Sequence, residues 1–117
     1  MAALMEARLA TSMLVTSLMR HAESQGGFAA VLNKGDATAG AVLVILNEKG
    51  RKQRILERVL QPGGTYSWQD MITQVVEDEA ELTGLLERRR SFDPDLWLIE
   101  LDVPSAERFA AEMNSSA

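Results

Sequence analysis

From about Ala10 to Ser24 the apolar positions recur with a helical period. Leu14, Val15, Leu18, Met19 and Ala22 fall on one arc, with Thr16, Ser17, Arg20 and Glu23 opposite, the pattern of a helix that buries one face. Gly26-Gly27 suits its end, because glycine accepts the left-handed cap conformation. Met1 to Met5 precede the pattern and are expected as a loose end. Three strand-like runs follow: Phe28–Asn33, Ala41–Asn47 and Gln53–Leu60. The second is apolar at every position from Ala41 to Leu46, which predicts a central strand covered on both faces. Gln61-Pro62-Gly63-Gly64 signals a turn, and Tyr66-Ser67-Trp68 alternates as a short fourth strand does. Asp70 to Val76 carries no clear period and is expected to be irregular.

Glu77 to Arg90 predicts a second helix with Leu82, Leu85 and Leu86 as its apolar stripe and Gly84 opposite. Asp93-Pro94-Asp95 stops it, since a residue before proline resists the helical region. Leu96–Leu101 predicts a last strand, with Trp97, Ile99, Leu101 and Val103 on one face. Pro104 suits the first turn of a third helix, striped by Ala106, Phe109, Ala110 and Met113. Asn114 to Ala117 are expected to fray. Short links between successive strands favour antiparallel pairing. The expected fold is therefore α+β: one antiparallel sheet of four to five strands, with about three helices packed mainly on one side, in the order α-β-β-β-β-α-β-α. Residues 1–117 are read as one domain with an ordered core over about 6–113.

Composition narrows the chemistry. The chain has 117 residues, 46% apolar and 25% charged, with no cysteine and one histidine. Disulfides, thiolate catalysis and thiolate metal sites are excluded, and a reducing compartment fits. The apolar stretch Leu9–Met19 is too short to span a bilayer, and the start lacks the basic character of a secretory signal. The expectation is a cytoplasmic protein without a membrane partner. A net charge of −5 argues against coating nucleic acid with the whole surface, although a local basic patch remains compatible with it.

Each candidate site has a structural reading beside the functional one. His21 suits acid–base work, but it falls at the edge of the buried arc and reads as a packing or helix-end residue. Arg88-Arg89-Arg90 could bind phosphate, nucleic acid or an acidic partner, with Lys34, Arg54 and Arg58 as helpers and Arg51 and Lys52 nearby. Yet the same helix opens with Glu77, Asp78, Glu79 and Glu81, so its charges complement the helix dipole at both ends. Asp93, Asp95, Glu100 and Asp102 could form a carboxylate site, but they also fit a helix stop and the polar face of an edge strand. Tyr66 and Trp68 form an aromatic pair expected to be partly uncovered and hence a contact surface. Lys34-Gly35-Asp36 is explained by a turn in which Asp36 bonds back to the backbone. No phosphate-cradling glycine loop is present, and neither a cofactor nor a metal site is expected.

Two blocks of sequence resemble a known family. One is Gly27-Phe28-Ala29-Ala30-Val31-Leu32-Asn33-Lys34-Gly35-Asp36, continued by Ala39-Gly40-Ala41-Val42-Leu43-Val44. The other is Arg89, then Asp93-Pro94-Asp95-Leu96-Trp97-Leu98-Ile99-Glu100, with Arg108-Phe109 behind it. Together they are similar to a small bacterial family designated domain of unknown function 1491, found mainly in alphaproteobacteria. The resemblance runs from Glu6 to Met113, and Asp93 to Trp97 is its more specific part. Where the family often has proline after an arginine-leucine pair near the start, Arg8-Leu9 is followed here by Ala10. The resemblance implies a compact bacterial domain and brings no activity, cofactor or catalytic residue.

Three functions stay open. A non-catalytic binding or regulatory module acting through protein–protein contacts, including a homodimer, ranks first. It would use the sheet edge or the Tyr66/Trp68 surface. Binding of nucleic acid or a phosphate ligand through Arg88, Arg89 and Arg90 ranks second. A small enzyme using His21 or the carboxylates ranks last.

Overall fold

The computed structural model describes residues 2–71 and 78–115. The elements are α1 (Ala2–Ser24), β1 (Phe28–Asn33), β2 (Val42–Glu48), β3 (Arg51–Leu60), β4 (Tyr66–Asp70), α2 (Glu79–Phe92), β5 (Trp97–Asp102) and α3 (Ala106–Ser115). The α+β class and the element order match expectation. Helix α1 begins at Ala2 rather than near Ala10. Ala2–Ala10 is rich in good helix formers and contains no breaker, so helix continues where amphipathic periodicity gives no signal. Most of the stretch Asp70–Val76 lies outside the described residues, as does Glu77. Asp70 itself ends β4, and the Met71 N–H donates to the Ile55 carbonyl (2.8 Å).

The five strands lie in the order β1-β5-β2-β3-β4. Pairs β1–β5, β2–β3 and β3–β4 are antiparallel, but β2 and β5 run parallel, Val42 opposite Trp97 through Asn47 opposite Asp102. An all-antiparallel sheet is thus corrected to a mixed one. Short links constrain only strands they join directly; β5 arrives through α2, and a helical crossover permits a parallel neighbour. β5 inserts between β1 and β2, so it is an interior strand and not an edge.

That insertion explains the loop between β1 and β2. Lys34–Ala41 must step across the width of β5, and it does so over the start of that strand. The Asp36 N–H donates to the Asp95 carbonyl (3.0 Å) and the Trp97 indole N–H donates to the Asp36 carbonyl (2.7 Å). Gly35 and Gly40 lie so close to the Asp95 carbonyl that a Cβ on either would collide with it. The Asp36 carboxylate accepts from the Thr38 hydroxyl (2.8 Å) and from the backbone N–H groups of Ala39 (2.8 Å) and Thr38 (3.1 Å). Those bonds, the hydroxyl first, hold its pKa below the ordinary carboxylate value. Helix α1 fastens to the same loop through Thr11 Oγ1 to the Thr38 carbonyl (3.1 Å). Two glycines, an aspartate and the tryptophan of the sequence blocks quoted above are therefore accounted for by chain crossing.

The two faces are covered unequally. On one, Val15, Leu18 and Ala22 of α1 and Ala106, Phe109, Ala110 and Met113 of α3 pack with Val42, Val44, Leu46, Leu56, Trp68, Trp97, Ile99 and Leu101. On the other, α2 is the one helix among the described residues, Leu82 packing with Leu43, Ile45, Ile55, Leu96 and Leu98, and Leu86 at the margin. Two of three helices share a face, and β2 is buried from Val42 to Asn47 as its unbroken apolar run predicts.

Candidate functional site

The basic residues do not form one patch. Arg89 reaches down from α2, where Nη2 donates to Glu57 Oε1 (2.8 Å). Arg90 lines a groove between α2 and β1, and Arg88 is exposed on the helix. Asp78 caps the opposite end of α2, accepting from the N–H groups of Ala80 and Glu81, so the helix carries charge of the favourable sign at each end. Lys52 is on the α2 face and approaches Glu79 (3.4 Å). The register shift between Leu46 and Asn47 separates Lys52 from Arg54 and Arg58, which are in step with Leu56 and lie on the α3 face. Arg54 makes a two-pronged bond to Asp70 (2.9 and 2.8 Å), which lowers the Asp70 pKa, and Arg58 sits 3.8 Å over the Tyr66 ring. Lys34 is exposed beyond the end of β1. The sheet itself thus separates these cations.

Tyr66 and Trp68 have different surroundings. Tyr66 is exposed beneath Arg58, but Trp68 is only 4% exposed and belongs to the core under α3. The expectation that Trp68 is partly uncovered is corrected: α3 extends to Ser115 and lies across β4. Asn114, expected to fray, is what holds it there. Trp68 N–H donates to Asn114 Oδ1 (2.7 Å), and Asn114 Nδ2 donates to the Trp68 carbonyl (3.1 Å). The amide thus occupies the outward backbone groups in the middle of β4, as a neighbouring strand would.

His21 lies at the α1–α3 contact, its Nε2 3.0 Å from Glu112 Oε1 and its ring against Phe109 (5.1 Å between centroids). Gln25 Nε2 donates to Glu112 (3.2 Å). The bonds from His21 and then Gln25 hold the Glu112 carboxyl below its usual pKa. This arrangement ties two helices together. Among the carboxylates, Asp102 accepts from the Gly50 N–H (2.8 Å), Glu100 lines the groove beside α2, and Asp93 caps α2 through its N–H to the Arg89 carbonyl. Among the described residues no group of three histidines or carboxylates is placed to share a metal ion.

The open surface lies at the other side of the sheet. β1 is an edge strand, and Phe28 (76% exposed), Val31 (43%) and Leu32 (45%) are large apolar side chains facing solvent. Phe28, Ala30 and Leu32 project on the α2 face, which α2 does not cover this far out, while Ala29 packs against the α1/α3 core. Next to Leu32 runs a groove of about 280 Å³, floored by Ile45, Leu82, Leu86 and Leu98 and rimmed by Lys52 and Arg90. Among the described residues no side chain hydrogen-bonds to the outer edge of β1. The sequence signal for this surface is the absence of any charged residue from Phe28 to Asn33. Only the strand order shows that this run lies at an edge.

Residues 9–111 match the family described as "Protein of unknown function (DUF1491)". The chain belongs to this family. DUF1491 proteins of known structure share its fold. A crystal structure of a DUF1491 protein from Caulobacter crescentus is 33% identical, with a TM-score of 0.72, over 85% of this chain and 92% of that one. An NMR structure of a DUF1491 protein from the same species is 34% identical, with a TM-score of 0.71, over 87% and 92%. The solution structure of the protein Atu0922 from A. tumefaciens is 31% identical, with a TM-score of 0.70, over 87% and 92%. Comparison with curated proteins gives no match. Membership of DUF1491 brings no activity with it.

Proposed function

We propose that this DUF1491 protein is a small non-catalytic binding module that makes protein–protein contacts through β1 and the adjoining strip of sheet beside α2. The observation that carries the reading is the contrast in edge chemistry. Natural edge strands are blunted by charges, proline, bulges or a covering element. β1 has no charge and no proline, and its one irregularity is a register shift between Val31 and Asn33. An extended partner segment adding to such an edge gains backbone hydrogen bonds, with Phe28 and Leu32 supplying apolar contact. No helix among the described residues is long and apolar enough to cross a membrane, and with the lack of cysteine this suits a cytoplasmic module.

The arginine reading draws less support. Arg89 is engaged by Glu57, and Arg54 and Arg58 are across the sheet from Lys52 and Arg90. The test is affinity capture from bacterial lysate with native protein, an Ala30→Lys variant and an Arg88→Glu/Arg90→Glu variant, which spares the Arg89 bond. A protein partner retained by the arginine variant and lost with Ala30→Lys is expected. Nucleic acid captured at low salt and lost only with the arginine variant would replace this reading by the second one.

A further inference from the structure

We infer that the occupant of the β1 edge is a second copy of this chain, paired β1 to β1 in antiparallel fashion about a two-fold axis near Ala30. The inference rests on the edge-binding reading and names its partner. Phe28 and Ala30 alternate on the α2 face, and Leu32, at the register shift between Val31 and Asn33, lines the groove on the same side, so the order along that face is large, small, large. In an antiparallel pairing centred on Ala30, Phe28 of each copy comes opposite Leu32 of the other, and the two Ala30 residues meet between them. On the other face Ala29 comes opposite Val31. The pattern is thus complementary to itself, which is what an isologous two-fold contact requires.

Charge agrees with this register. The paired segment contains no ionisable group, so a chain of net charge −5 meets its copy without like charges in the contact. Lys34, exposed and without a salt bridge among the described residues, lies just beyond the paired segment, on the side of Gly26 of the other copy. That position follows the carbonyl end of α1, next to exposed Glu23, where a cation is favoured.

The opposite edge decides the stoichiometry. A contact from β1 to β4 would be head-to-tail and could continue into an open filament. Asn114 fills the outward groups of β4 at Trp68, whereas among the described residues no side chain bonds to the outer edge of β1. Assembly through one self-complementary edge stops at two.

Sedimentation velocity on the full chain, from about 1 to 500 μM, reads the outcome. A concentration-dependent dimer is expected. Ala30→Lys and Ala30→Glu should each weaken it at least tenfold, because like charges then face each other across the axis. An equimolar mixture of the two variants should recover dimer. Ala30 is exposed, and circular dichroism checks that each variant keeps the native fold. A second measurement needs no variant: in a mixture of isotope-labelled and unlabelled protein, intermolecular Overhauser effects should link the Phe28 ring to Leu32 methyls. A strict monomer throughout the range, a dimer indifferent to both substitutions, or a dimer lacking those effects overturns the inference. If the native protein is monomeric yet Ala30→Lys abolishes capture of a lysate protein, self-pairing falls while the binding-module reading stands; if both fail, both fall.

Discussion

The two edges of this sheet are finished in different ways. At β4 the outward backbone groups of Trp68 are taken by the Asn114 amide, the Trp68 ring is buried beneath α3, and Arg54 and Asp70 pair across the β3–β4 ladder. At β1 a strand of similar length presents three exposed apolar side chains, no charge and no side-chain bond to its outer edge among the described residues. A side chain from a distant helix turn closes one edge, and among the described residues nothing comparable closes the other. The asymmetry has two sources: β4 carries a charge, Asp70, where β1 has none, and a tertiary contact through Asn114 closes the middle of β4.

The sharpest way to break the comparison is to hollow out β4. Trp68→Ala removes a ring from the main core and should lower unfolding free energy by about 3–5 kcal/mol, read by chemical denaturation. Phe28→Ser, at an aromatic on the other edge, should change monomer stability by no more than about 0.5 kcal/mol. Equal losses at the two positions would show that β1 is as deeply anchored as β4.

Asn114→Ala should come next. It leaves a part-buried N–H and carbonyl at Trp68 without their side-chain partner, at a cost of roughly 1–3 kcal/mol, and it also uncovers the second edge. The variant should therefore form species larger than a dimer in sedimentation at concentrations where the native protein does not. A destabilised variant with unchanged assembly would mean that Asn114 supports the fold but does not guard the edge.

The smallest expected effect is the Arg54–Asp70 pair. Bonding to Arg54 depresses the Asp70 pKa, so the folded state binds this proton less readily than the unfolded state. The contribution is therefore present above about pH 4 and is lost as pH falls through the depressed folded value. Both partners are about one-third exposed, and solvent screening limits the effect to about 1 kcal/mol or less. Asp70→Asn should flatten the acid limb of a stability–pH curve by that amount. Asp36 and Glu112 are depressed for the same kind of reason, so part of the limb should remain. A limb unchanged by the substitution would mean that the pair adds nothing to the defence of β4.

Much of the architecture follows from local signals. The stripe Leu14, Val15, Leu18 and Ala22, the unbroken run of β2 and the alternation Trp97, Ile99, Leu101 and Val103 each place their element and its buried face. Periodicity reports burial directly, because a side chain's face is set by its own position in the helix or strand. Asp36 as a turn former and Asp78 near the start of α2 are legible in the same way, since their bonds run to residues two or three places along.

The candidate site was far less legible. Arg88, Arg89 and Arg90 stand out in sequence, yet one is held by Glu57, one borders the groove and one faces solvent. Tyr66 and Trp68 read as a pair, and α3 separates their fates. Phe28 and Leu32 look like any other strand residues. Local sequence determined the type, the length and the inward face of most elements, because those depend on neighbours a few residues away. Tertiary structure alone decided that β5 enters between β1 and β2, that β1 is left at an open edge, and that Asn114 reaches Trp68 (46 residues away). Those outcomes rest on contacts between segments that meet only once the chain has closed on itself, and no period or spacing within a segment encodes them.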